Sequence, residues 1–182
     1  MNLFLVRHGE AAASWGESPD PGLSDLGRQE ASDAAERLTP YISDDTLLLS
    51  SPLQRAFETA APLATSLQRD VIVESAYREL PSPVPLAQRQ VWLRLFMQQK
   101  WTEQGEELLA WRAAAFEHLL ALTQPAVIFT HFLVINAVVG QVLNRPETLC
   151  FWPANASVTH LRHNGTDLEL LSLGEEVETL VN

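Results

Sequence analysis

The sequence predicts an α/β protein, a three-layer α/β/α sandwich around a mostly parallel central sheet. Three observations carry that expectation. Short apolar runs, "NLFLV" at 2–6, "TLLLS" at 46–50 and "AVIFT" at 126–130, are separated by segments of helical periodicity. A strand that is apolar on both faces needs cover on both faces, the situation of a parallel strand between two helix layers. Strict alternation begins only near the end, in "SVTHLRH" and "LELLSL", around an "NG" turn signal at 164–165. That pair reads as an antiparallel hairpin at the sheet edge.

Taken in order, the strand 2–6 runs directly into the polar tetrad "RHGE" at 7–10. Residues 23–38 read as an amphipathic helix with Ser24 as N-cap and a stop at Pro40. The strand 46–50 is followed at once by a helix over 51–67. Ser51 is its expected N-cap, Pro52 suits the first helical position and Gln54 can close a capping box. "VIVE" at 71–74 is a third strand. The proline cluster "ELPSPVP" at 79–85 marks a loop or an insertion edge. Two helices follow, at about 86–100 and 104–122, and the stretch at about 81–106 reads as a helical insertion or lid. The strand 126–130 leads into a buried helix over 131–143.

Composition narrows the function. With 182 residues, 46% of them hydrophobic, the chain is expected to build one domain over 1–182. A formal charge of −11 argues against nucleic-acid and anionic-membrane partners. An anionic substrate would need a local basic pocket within that repulsive field. Cys150 is the single cysteine, so no intrachain disulfide and no CxxC metal motif can form. No apolar run reaches the roughly 18 residues of a membrane span and no signal-peptide pattern is present, so a cytoplasmic protein is expected.

In open α/β sheets, ligands bind beyond the carboxyl ends of the strands. Three such ends deliver Arg7, His8, Arg55 and His131 to one rim. The helix start at 51–55 adds free N–H groups and partial positive charge where an anion would lie. Two arginines can fork onto phosphate oxygens. Gly9 is expected to let the backbone approach such a ligand.

These stretches, "RHGE" (7–10), "LSDLGRQEA" (23–31), "SSPLQRAFETA" (50–60), "GEELLAWR" (105–112) and "THFLVINA" (130–137), occur in an order and at separations that resemble the histidine phosphatase, or phosphoglycerate mutase-like, superfamily. The resemblance spans most of the chain. It implies that His8 is the nucleophile and that Arg7, Arg55 and His131 bind phosphate, His131 also acting in catalysis. It further implies that Glu79 is the proton donor, with Glu74 as a nearby competitor. Many relatives have threonine, then asparagine, after the first motif, where Ala11 and Ser14 stand here. After the second histidine many have glycine and a nearby arginine, where this chain has Phe132 and Asn136. These departures point to a remodelled substrate side, with Ser14, Trp15, Ser24 and Phe132 as candidate pocket residues and Trp92, Phe96 and Trp101 placed to roof it.

The implied activity is a metal-independent phosphatase that hydrolyses a small phosphorylated metabolite through a phosphohistidine on His8, with no cofactor. "HLRH" at 160–163 is not read as a metal site, because in a strand His160 and His163 face opposite sides. The alternatives are a phosphoglycerate mutase, a protein phosphohistidine phosphatase and a catalytically silent phosphate-binding module. Hydrolysis is expected over isomerisation, because few basic residues beyond Arg7 and Arg55, chiefly Arg78 and Arg89, fall near the rim.

Overall fold

β1 (Asn2–Arg7), β2 (Leu47–Ser50), β3 (Ile72–Val73) and β4 (Ala126–Thr130) form the parallel part of a six-stranded sheet in a computed structural model that describes residues 1–13 and 18–177. β5 (Val158–His163) and β6 (Leu168–Ser172) complete it, and the strand order is β3-β2-β4-β1-β5-β6. β4 lies between β2 and β1 and is parallel to both, whereas β5 pairs antiparallel with β1 and β6 antiparallel with β5. The hairpin read from the terminal alternation is therefore the sheet edge.

Helices cover both faces, which explains the uninterrupted apolar strands. α1 (Asp25–Leu38) and α2 (Gln54–Leu67) bury Ala34, Leu38, Ala60 and Leu63 against Phe4, Val6, Val127 and Phe129. α4 (Glu106–Ala121) and α5 (Phe132–Val142) bury Leu119, Val134 and Ile135 against Leu3, Leu5 and Ile128 on the other face. Alternate residues of one strand thus serve opposite layers, as period-2 geometry requires. A third apolar cluster joins Leu80, Leu93, Phe96 and Trp101 to Phe132, Leu133 and Ala137 of α5, so the 81–106 stretch packs over the start of that helix.

Several boundaries differ from the sequence reading. α2 begins at Gln54 rather than Ser51, with Leu53 in extended conformation as its N-cap residue. Gln54 closes no capping box. Its N–H donates to Asp20 Oδ1 at 2.8 Å, and its side-chain amide donates to Glu58 at 2.6 Å. The third strand shrinks to the exposed pair Ile72–Val73. The helix expected over 86–100 is a 3-10 turn at Leu86–Gln88 followed by α3 (Arg89–Phe96). It stops there because the Phe96 carbonyl accepts from Thr148 Oγ1 at 2.6 Å and Trp101 N–H donates to Pro146 O at 2.8 Å, which turns the chain away.

Among the described residues no helix is long and apolar enough to cross a membrane.

Candidate active site

Because β2, β4 and β1 are parallel neighbours, their carboxyl ends lie side by side. His8 N–H donates to Thr130 O and Ser51 N–H donates to Phe129 O, both at 2.9 Å, which extends the ladder one step past each strand. The side chains of His8, Ser51 and His131 are fixed by this backbone, and all three are buried.

His8 has its two ring nitrogens in distinct roles. The Gly9 carbonyl, 2.7 Å from Nδ1, can only accept, so Nδ1 carries the hydrogen. Nε2 then holds the lone pair, and Arg55 Nε–H donates to it at 3.2 Å. Burial, then the charges of Arg55 and Arg7, hold the His8 pKa well below its ordinary value, so the ring is neutral. Thr59, one turn after Arg55 on α2, accepts from Gly9 N–H at 3.0 Å and donates to Arg55 O at 2.7 Å. It joins the His8–Gly9 loop to the helix that carries Arg55. The sequence reading quoted Thr59 without a role, although its i+4 spacing from Arg55 places it on the same helix face.

His131 is fully buried, with its ring centroid 5.2 Å from that of His8. Its Nε2 lies 2.7 Å from Ser51 Oγ, and its Nδ1 has no hydrogen-bond partner among the described residues. The Ser51 hydroxyl, which also accepts from Leu53 N–H at 3.2 Å, has one proton to give. Given to Nε2, that proton leaves hydrogen on Nδ1 as a buried free donor. Burial and then the neighbouring His8, Arg55 and Arg7 push the His131 pKa well below its usual value.

Arg7 donates through Nη1 to Pro153 O at 2.7 Å, and its guanidinium lies 5.2 Å from the centre of the Phe132 ring. Its buried Nε has no partner among the described residues. Burial pulls its pKa to about 10, so it remains a cation at neutral pH. Arg55 is also lowered by burial. Asp20, which no local signal singled out, caps α2 and lies 3.9 Å from Arg55 Nη1.

The two candidate acids separate clearly. Glu79 is buried and its Oε1 accepts from Leu80 N–H at 2.9 Å. Burial raises its pKa, while the Leu80 N–H and the charges of Arg55 and Arg89 pull the other way. It lines a cavity of about 310 Å³ together with Leu53, Arg78, Leu86 and Arg89. Glu74 instead caps the 3-10 turn Ser75–Tyr77, accepting from Ala76 N–H at 3.0 Å, and pairs with His118 Nε2 at 3.3 Å.

The remaining pocket candidates have varied placements. Ser24 is the N-cap of α1; it accepts from Gly27 N–H at 3.0 Å and donates to Glu10 at 2.7 Å. Phe132 is buried between Arg7 and Trp152, 5.3 Å from the latter ring. Ser14 and Trp15 lie outside the described residues. Asn136 ties a loop down, accepting from Cys150 N–H at 2.7 Å and Phe151 N–H at 3.1 Å. A Cβ at Gly9 would sit 2.5 Å from Gly27 O, so close packing against α1 requires glycine there. His160 stacks on Phe4 at 4.4 Å, whereas His163 donates to Leu120 O at 3.1 Å, on the opposite face of β5.

The arrangement is an anion cradle around a neutral imidazole, with a buried carboxyl nearby. The family profile of the histidine phosphatase superfamily (branch 1) matches residues 3–176. Over 168 residues the chain is 29% identical to "Probable phosphoglycerate mutase GpmB" of Proteus mirabilis, covering 80% of this chain and 76% of that protein. The native structure of a mycobacterial glucosyl-3-phosphoglycerate phosphatase superposes with a TM-score of 0.76 at 25% identity, covering 97% of this chain and 99% of that one. The phosphoserine phosphatase of Entamoeba histolytica, in complex with 3-phosphoglyceric acid, shares the fold with a TM-score of 0.75 at 20% identity, covering 97% and 98% of the two chains.

Proposed function

Given that the chain belongs to the histidine phosphatase superfamily (branch 1), we propose that it is a metal-independent phosphatase that hydrolyses a small phosphomonoester through a phosphohistidine on His8. The observation that carries this reading is the pair of bonds on His8: Nδ1–H to Gly9 O, and Arg55 Nε–H to the free lone pair of Nε2. A neutral ring held in this tautomer is a ready nucleophile, and the guanidinium beside it is where a phosphoryl oxygen would sit.

In this mechanism the phosphoryl group enters between Nε2 and Arg55. Arg7, Arg55 and His131 Nδ1–H donate to its oxygens. Nε2 attacks phosphorus in line as the bond to the alcohol oxygen breaks, and the Glu79 carboxyl gives its proton to that oxygen. The Glu79 carboxylate then takes a proton from water, whose oxygen attacks phosphorus. The P–N bond breaks, inorganic phosphate leaves and His8 is neutral again. The leaving alcohol would occupy the cavity beside Glu79, with the 81–106 insertion closing over it within one domain of residues 1–182. A cytoplasmic location belongs to the same proposal.

The likeness to the Proteus mirabilis protein favours a mutase as the second reading. A phosphoramidate leaving group needs less acid assistance than an alkoxide, so the buried Glu79 supports an ester substrate over a protein phosphohistidine. A silent binding module would need neither a prepared nucleophile nor an acid.

The test is brief exposure to a 32P-labelled phosphomonoester in the presence of a chelator. Label on His8, acid-labile and base-stable, with steady phosphate release and no turnover by His8→Ala, is the expected result. Label on serine, or a His8→Ala enzyme at the wild-type rate, would overturn the mechanism. Fast enolase-coupled turnover of 3-phosphoglycerate with little free phosphate would decide for the mutase.

A further inference from the structure

Tyr77, His118 and Glu74 form a chain of polar contacts that has no part in the steps above. Tyr77 is fully buried, and its hydroxyl lies 2.7 Å from His118 Nδ1. Burial, and secondarily Glu74, raise the pKa of the phenol, so the hydroxyl keeps a proton that it can share with Nδ1. The other ring nitrogen, Nε2, lies 3.3 Å from Glu74 Oε2. Glu74 in turn caps the 3-10 turn that carries Tyr77.

The chain ends two residues before Glu79, and the intervening backbone is held from the same helix. Trp111 Nε1–H donates to Arg78 O at 2.9 Å. Trp111 and His118 are seven residues apart on α4, so they project from one face, two turns apart. On the other side Thr130, directly before His131, donates through Oγ1 to Tyr77 O at 2.8 Å. Residues 78–85 belong to no helix or strand. No ladder therefore places Glu79 relative to His8 and His131; these side-chain bonds hold the backbone before it, while Leu80 N–H and the Arg89 bond to Leu80 O, at 3.2 Å, act on it and after it.

We propose that the Glu74–His118–Tyr77 chain positions Glu79 for proton transfer, with Tyr77 and His118 as positioning residues of the reaction. The proposal rests on the reading of Glu79 as the proton donor. A misplaced acid costs most where the leaving group needs its proton. In kcat/KM, which stops at departure of the leaving group, the effect should therefore appear with an alkyl phosphate and largely vanish with p-nitrophenyl phosphate, whose leaving group hardly needs protonation. A general loss of fold would lower both alike.

The experiment compares kcat and KM of Tyr77→Phe, His118→Ala and His118→Asn on glycerol 2-phosphate and p-nitrophenyl phosphate, with Glu79→Gln as reference. For Tyr77→Phe and His118→Ala, kcat/KM on the alkyl ester should fall about 10-fold, within the roughly 10²-fold that a 1 Å misplacement can cost. On the aryl ester kcat/KM should fall by less than about 2-fold, whatever kcat does, because kcat also contains the water-activating step that all esters share. His118→Asn, which keeps an acceptor near the Nδ1 position, should recover part of the loss. Equal losses on both esters, or wild-type rates on both while Glu79→Gln is selective, would overturn the relay alone. A Glu79→Gln enzyme without leaving-group selectivity would overturn the proton-donor reading, and the relay with it.

Discussion

His131 and His8 are neutral in the fold and titrate near pH 6.5 once exposed. Below about pH 6.5 the unfolded chain binds protons that the folded one refuses, so both rings withdraw stability as pH falls toward their depressed folded values. Each contributes at most about 1.4 kcal/mol per pH unit. Glu79 works in the opposite sense. Its raised carboxyl keeps a proton that the unfolded chain releases from about 4.5 upward, so it costs stability as pH rises through that window. Single variants separate these overlapping effects. The stability difference between wild type and His131→Gln, from urea melts, should shrink toward the acid side by up to about 1.4 kcal/mol per unit below pH 6.5. A difference that ignores pH would show that His131 carries its charge in the folded protein. Of the residues at the site, His8, Arg7, Arg55 and His131 were legible in the sequence because each follows an apolar strand whose end is a local signal. The resemblance favoured Glu79 over Glu74 as the acid, but the contact that occupies Glu74 was not legible, because His118 stands more than forty residues away.

α1 meets the His8–Glu10 loop backbone to backbone. Cβ atoms built at Gly9 and Gly27 would lie 2.5 Å from Gly27 O and 2.1 Å from Glu10 O, respectively. In a free helix Gly27→Ala would gain up to about 1 kcal/mol of propensity. Here it should instead destabilise by about 1–3 kcal/mol, through overpacking. It should also lower kcat/KM, because it pushes on the loop whose Gly9 carbonyl fixes the His8 tautomer. Urea melts and phosphate-release kinetics on one preparation check both effects; a stabilised, fully active variant would show that the loop yields. This contact, like the start of α2, was invisible in sequence. The sequence carried a plausible cap at Ser51, yet the carboxylate that caps the helix is Asp20, 34 residues before Gln54. The strands and the order of helices were readable because apolar periodicity is local. α3 was overextended because the bonds that end it come from Pro146 and Thr148.

Across the whole molecule, a chain of formal charge −11 holds the buried Arg55, the half-buried Arg7 and two buried histidines at one rim. Arg7 Nε and His131 Nδ1 are buried without partners among the described residues, so a bound anion would satisfy groups the free protein leaves unmet. Inorganic phosphate at about 100 times its Kd should add about 2.7 kcal/mol, or roughly 5–10 °C in Tm for a chain of this size. Arg55→Ala should show little of that shift in the same calorimetric series, and a full shift in that variant would locate the anion elsewhere. The unmet donors also bear on how variants of this protein would be chosen. A cationic pocket readied for an anion is a standing strain on the empty fold, and replacing Arg7 with an apolar side chain would relieve it. A thermostability screen in phosphate-free buffer would therefore reward chains that have lost the chemistry, whereas the same screen with phosphate present would reward those that keep it.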